Sequence, residues 1–303
     1  MKWIEAYQKM HPNVTINYQS VGSGAGISQY AANTFDFGAT DAPLNDSQLK
    51  KLGKPTIIFP DTCGCEAMSY NLPGISTPLH FTGKVIADIY LGKITKWNDP
   101  RLVALNPGVH LPNLTVIPVH RSDASGTTYI FTGYLASVSP EWKTKVGVDK
   151  SVSWPASGVG GQGNPGVAQA IKQNPGAIGY VEFAYIIQAK MVAGLVQNPA
   201  GKFLAPSLDG ATATEDASAA LLQKDLRSPI VSAPGANSYP ITGFSFILLS
   251  TNMKDQTKSK TLVDFFKFCL GEGQQIGKTL QYAPLPKPVV TLNLAQLNKV
   301  GSN

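Results

Sequence analysis

Two stretches of the chain combine glycine with small hydroxyl residues in a way that suits an anion. They are Val21-Gly22-Ser23-Gly24-Ala25-Gly26-Ile27 and Arg121-Ser122-Asp123-Ala124-Ser125-Gly126-Thr127-Thr128. Each reads as a strand, a short turn and a helix start. A helix start leaves about four N–H groups without intrahelical acceptors and carries roughly half a positive charge. Glycine lets an anion approach that backbone, and Ser or Thr hydroxyls add donors. Taken singly, either turn could equally be an ordinary N-cap. Arg121 strengthens the second, because a guanidinium recognises a tetrahedral oxyanion with paired hydrogen bonds. Asp123 is placed to orient that arginine, although an ordinary surface ion pair would have the same spacing.

Asp41 is the group of opposite sign. It follows Phe37-Gly38-Ala39-Thr40 and precedes Ala42-Pro43, where it would serve equally as a turn cap. In an anion site it would repel its ligand unless the ligand brings a proton to donate. Phosphate near neutral pH carries such a proton and sulfate does not. An acceptor-only carboxylate would therefore select phosphate.

Other chemistries find less support. Glycines at 22, 24 and 26 miss the G-x-G-x-x-G spacing, and no G-K-[ST] follows, so neither a dinucleotide fingerprint nor a P-loop is expected. Cys63, Cys65 and Cys269, with His11, His80, His110 and His120, give no metal-ligand spacing. A Cys63–Cys65 disulfide would be badly strained, so the cysteines read as small buried residues. Ser125 as a nucleophile lacks a G-x-S-x-G elbow, and the facing of the neighbouring His120 is open.

The elements that must position these groups alternate between strand and helix, which points to an α/β fold. A helix is expected from Trp3 to Met10, ending before Pro12. Strands are expected over Val14–Val21, Phe35–Ala39, Thr56–Phe59, Glu66–Leu72, Val116–His120, Ala177–Val181 and Ile241–Leu249. Helices are expected from Ile27, over Asn45–Leu52 and Thr82–Ile94, from the Arg121 turn through Val138, and over Pro165–Gln173. Gly158–Gly166 reads as a loop. The tail from Lys260 to Lys299 reads as mostly helical, interrupted by prolines at 284–288. The 303 residues carry 43% hydrophobic and 15% charged residues, which excludes a disordered chain. The net charge of +6 is spread without a basic arm. It fits a small anion better than a nucleic acid, whose binding needs clustered cations. No apolar run approaches the roughly 18 residues of a membrane span.

In these stretches the chain resembles the substrate-binding protein family of the phosphate-specific ABC transporter. The resemblance rests on Asn17-Tyr18-Gln19-Ser20-Val21-Gly22-Ser23-Gly24, Asp36-Phe37-Gly38-Ala39-Thr40-Asp41-Ala42-Pro43-Leu44 and Tyr90-Leu91-Gly92-Lys93-Ile94-Thr95-Lys96-Trp97. It continues through Arg121 to Thr127, Pro175-Gly176-Ala177-Ile178-Gly179-Tyr180-Val181-Glu182 and Tyr239-Pro240-Ile241-Thr242. The stretches come in family order and cover nearly the whole chain.

The resemblance implies a two-lobed periplasmic-binding-protein fold of type II with two interlobe crossovers. One lobe would be discontinuous, 1–62 with 241–303, and the other would be 63–240. It implies a monomeric, non-enzymatic carrier without a cofactor or metal. The carrier would work in the periplasm or at the outer face of the membrane and deliver phosphate to a permease. Phosphate would be held by Ser23, Gly24, Asp41, Arg121, Ser125, Gly126 and Thr127, with Asp123 in support. Sulfate or molybdate binding, or phosphoester hydrolysis, are the competing readings. Family members usually begin with a secretion signal, a first strand and a Gly-Ala-Gly-Ala-Thr-Phe-Pro turn. This sequence starts at Met1 in the helix that follows, so the resemblance implies a site short of one ligand segment and weaker binding.

Overall fold

The computed structural model describes residues 1–301. Among these residues nine strands form two sheets: β1 Phe37–Thr40, β2 Thr56–Tyr70, β3 His80–Phe81, β4 Ile117–Arg121, β5 Val159–Gly161, β6 Ala177–Glu182, β7 Leu195–Gln197, β8 Phe203–Leu204 and β9 Thr242–Ser250. The larger sheet has the order β1-β9-β2-β6-β4-β5, and the smaller has the order β3-β7-β8. Helices cover the faces, as the α/β reading expects.

The long strand β2 organises the molecule. Over Thr56–Cys65 it pairs antiparallel with β9, and over Glu66–Tyr70 it pairs antiparallel with β6. The register shifts between Pro60 and Thr62. Proline has no N–H to give the ladder, so a bulge is where a strand tolerates it. Thr56–Phe59 and Glu66–Leu72, expected as separate strands, are thus mostly one element. On the far side, β4 lies parallel to both β6 and β5. The apolar strand β9 is buried at Phe244, Ile247, Leu248 and Leu249, and it packs with Phe59 and Phe266 into the main core.

Three further expectations are corrected. Val14–Val21 forms no strand. Its alternating pattern suits a strand, but among the described residues it joins no ladder, and a strand exists only as part of one. The helix expected from Ile27 begins at Gly22 and runs to Ala31. Gly22 sits at φ +80°, a conformation that costs glycine little. The glycine-rich stretch 158–166 is not wholly a loop, because it holds β5 and the start of the helix Gly163–Gln173. Gly161 meets that helix so closely that a Cβ would lie 2.4 Å from the Val167 nitrogen.

Capping by side chains sets several helix starts. Asn45 and Gln48 form a reciprocal capping box for Asp46–Lys51. Thr82 caps Gly83–Tyr90, and Ser125 caps Gly126–Val138. Cys63, Cys65 and Cys269 are free thiols, all buried. Among the described residues no helix is long and apolar enough to cross a membrane.

Candidate anion site

β4 ends at Arg121, and the chain turns through Ser122–Ser125 into the helix Gly126–Val138. The Ser125 hydroxyl accepts from the Thr128 amide at 3.3 Å. The Gly126 and Thr127 amides, in the first turn, have no intrahelical acceptor. Gly126 carries no Cβ where Asp41 and Ser23 approach: one would fall 2.2 Å from Asp41 Oδ2 and 2.4 Å from Ser23 Oγ. The two turns read from the sequence are therefore brought against each other. They line a cleft of about 1310 Å³ together with Asp41, Arg121, Asp123 and Thr127.

Arg121 is nearly buried, its side chain 6% exposed, and Asp123 is 12% exposed. Nε donates to Asp123 Oδ1 at 2.8 Å and Nη2 donates to Asp123 Oδ2 at 2.5 Å. Nη1 donates to Thr127 Oγ1 at 3.2 Å. A guanidinium has five N–H donors, so two remain for a ligand. Gly163 N donates to the same Asp123 oxygen as Nε, at 3.1 Å. Burial works against the guanidinium charge, but the Asp123 hydrogen bonds and charge outweigh it and raise the Arg121 pKa. Burial likewise opposes the Asp123 charge, and Arg121 outweighs it, lowering the Asp123 pKa. The arginine is a fixed cation held in one orientation.

Asp41 faces this cation from the end of β1. Its amide donates to Ser23 Oγ at 3.0 Å. Ser245 on β9 donates to Oδ1. Among the described residues no hydrogen bond reaches Oδ2, the oxygen turned toward Gly126. Burial raises the Asp41 pKa, against the pull of Ser245 and Arg121. The site is thus a set of donors with one acceptor left open.

Gly24 departs from expectation. Its amide donates to the Ala124 carbonyl at 2.9 Å, and its missing Cβ makes room for Ala124 at 2.5 Å. Gly24 docks one turn on the other, so its N–H is committed. His120 turns away from Ser125: its Nδ1 lies 3.0 Å from the Arg121 carbonyl and its ring stacks on Trp154 at 4.9 Å. Among the described residues no group of three or more His, Cys, Asp or Glu side chains could hold a metal.

The sequence reading missed Ser245, Glu66, Glu182 and Tyr282, which also line the cleft. A signal was present for Ser245, which interrupts an apolar run.

Asp61, at the β2 bulge, adds a pH effect. It is 8% exposed, and its Oδ1 finds no partner among the described residues. Burial first, and the Asp41 charge second, push its pKa up to about 8. An unfolded Asp titrates near 3.9. The fold therefore holds the proton more tightly, and this contribution is complete below about pH 4 and is lost as pH rises through about 8. Thermal melts should show lower stability at pH 8 than at pH 5, by up to about 1.4 kcal/mol per pH unit from this group. Asp61→Asn should flatten that slope. An unchanged slope would contradict the assignment.

Residues 1–272 match the model of the PBP superfamily domain. The phosphate-binding protein PstS of Xylella fastidiosa (strain Temecula1) is 45% identical over 290 residues, covering 95% of this chain and 79% of that protein. The chain belongs to the PstS family of phosphate-binding proteins. The PstS of Haemophilus influenzae is 42% identical over 291 residues, covering 96% of this chain and 86% of that protein. The PstS of Methanocaldococcus jannaschii is 39% identical over 321 residues, covering 99% and 82%. The fold is shared with phosphate-binding proteins of known structure at low sequence identity. A periplasmic phosphate-binding protein (PfluDING) bound with phosphate superposes with a TM-score of 0.69 at 20% identity, covering 91% of this chain and 85% of that one. A phosphate-binding protein from Stenotrophomonas maltophilia gives 0.70 at 16% identity, covering 92% and 86%. The architecture is thus the two-lobed fold of periplasmic phosphate-binding proteins.

Proposed function

We propose that this protein binds inorganic phosphate in its cleft and passes it to the permease of a phosphate ABC transporter. The observation that carries this reading is the open acceptor: Asp41 Oδ2, without a donor among the described residues, beside the helix start at Gly126 and opposite Arg121. A phosphate proton satisfies it, whereas sulfate or molybdate would leave two acceptors in repulsive contact. We assign Ser23, Asp41, Arg121, Ser125, Gly126 and Thr127 to phosphate and Asp123 to bracing Arg121. Gly24 is left out because its amide is committed to Ala124. Residues 1–62 with 241–303 and residues 63–240 are the two lobes that close on the ligand. The protein acts as a monomer in the periplasm or at the outer face of the membrane.

We read it as a carrier without catalytic activity. The engagement of Ser125 Oγ as a helix cap and the stacking of His120 on Trp154 support that reading, since a serine nucleophile needs a base within hydrogen-bond reach. Equilibrium dialysis with labelled phosphate, competed by sulfate and molybdate, tests the function. Phosphate should be retained and the competitors should fail. Turnover of a chromogenic phosphoester that is lost in Ser125→Ala would overturn it in favour of a hydrolase.

Gly126→Ala tests the geometry. The added methyl meets Asp41 and Ser23 at less than 2.5 Å, which is overpacking of about 1–3 kcal/mol. Phosphate affinity should fall by about tenfold to a hundredfold. The helix should stay intact, because alanine favours it.

A further inference from the structure

Beneath the site, β2 and β6 place two glutamates opposite each other. Glu66 and Glu182 are paired across the antiparallel ladder, so their side chains leave the same face about 5 Å apart at Cβ. Both line the cleft. Glu66 is 4% exposed, and its Oε2 has no partner among the described residues. Glu182 Oε2 accepts a long hydrogen bond from Asn164 Nδ2 at 3.4 Å, and Tyr282 hydrogen-bonds to the Glu182 carboxyl.

Two facing carboxylates cannot both ionise cheaply in such a place. Burial first holds both above the ordinary carboxylate range, and the Glu182 charge pushes Glu66 up further. Asp41 after β1 adds negative charge to both, and Asp61 stands on the same strand as Glu66. The neighbouring Tyr18, Tyr180, Tyr185, Tyr239, Tyr282 and Cys65 are all pushed further toward their neutral forms. Among the described residues, Arg121 is the one cation whose charge reaches both glutamates.

We propose that Glu66 and Glu182 are a proton-sharing carboxyl pair that sets the charge state of the anion the cleft accepts. The proposal rests on the phosphate-binding reading. In the empty protein Arg121 offsets the negative charge of the pair. A bound anion takes up that offset, the field at the pair becomes more negative, and a carboxylate oxygen takes a proton from solvent. Anion binding and proton uptake then favour each other equally. The pair penalises a doubly charged ligand unless a proton arrives with it. This adds a second filter to the one at Asp41.

Calorimetry of phosphate binding in buffers of different ionisation enthalpy, from pH 6 to pH 8, measures the protons taken up. The native protein should take up more protons than Glu66→Gln, Glu182→Gln or the double variant. Its affinity should fall with rising pH by up to about tenfold per pH unit more steeply than theirs. If all four bind phosphate with the same proton uptake, the pair has no such role and the phosphate reading stands. If the native protein binds no phosphate, the functional reading itself fails. Infrared difference spectra of the native protein need no variant. Adding phosphate should increase the protonated-carboxyl band, and an unchanged band overturns the proposal.

Discussion

Arg121→Ala should abolish phosphate binding, lowering affinity on the order of a thousandfold. The substitution removes the two guanidinium donors left for the ligand. It also leaves Asp123 as a nearly buried carboxylate held by backbone amides alone, that of Gly163 among them. An uncompensated charge there repels the anion that the arginine attracted. Arg121→Lys should recover little, because an ammonium cannot hold both Asp123 oxygens and present two further donors in one plane. Phosphate titration read by intrinsic fluorescence, with circular dichroism to establish folding, checks this. Folded Arg121→Ala that binds within tenfold of the native protein would contradict the site. Asp123→Asn should be milder, since its amide oxygen still accepts one of the two bonds.

The second large effect is on selectivity. In the native protein Ser245 donates to Asp41 Oδ1, and Oδ2 is left facing the helix start at Gly126. In Asp41→Asn the Ser245 bond should hold the amide oxygen in the Oδ1 position, which turns the NH₂ toward the ligand. The open acceptor becomes a donor, and the reason to reject sulfate disappears. Sites that require a ligand hydrogen bond reject analogues lacking it by about 10⁴-fold or more. Discrimination of that order should shrink to about tenfold or less. Sulfate binding should rise and phosphate binding should fall. Ser245→Ala should have a smaller effect in the same direction, because it frees the carboxylate to rotate.

Elements whose signals are local could be read from the chain. Ser125 before Gly126–Val138, Asn45 with Gln48, and Asn174-Pro175-Gly176 after Gly163–Gln173 each announce a boundary by backbone chemistry that needs no distant partner. Elements that exist only through pairing could not. Val14–Val21 has the alternation of a strand and no ladder, whereas Val159–Gly161 has the composition of a loop and becomes a strand against β4. The continuity of β2 through Pro60 depends on a bulge opposite β9, which no local pattern reveals. The site divides the same way. Ser23, Asp41 and the Arg121–Thr127 turn carry their chemistry in sequence order. Glu66 and Glu182 are unremarkable apart, and they acquire meaning from a register that only the sheet supplies.

Calorimetric titration of the native protein with phosphate and with sulfate at neutral pH tests the central claim most directly. The open acceptor at Asp41 predicts saturable phosphate binding, with sulfate weaker by about 10⁴-fold or more. Equal affinity for the two anions, or binding of neither, would contradict it.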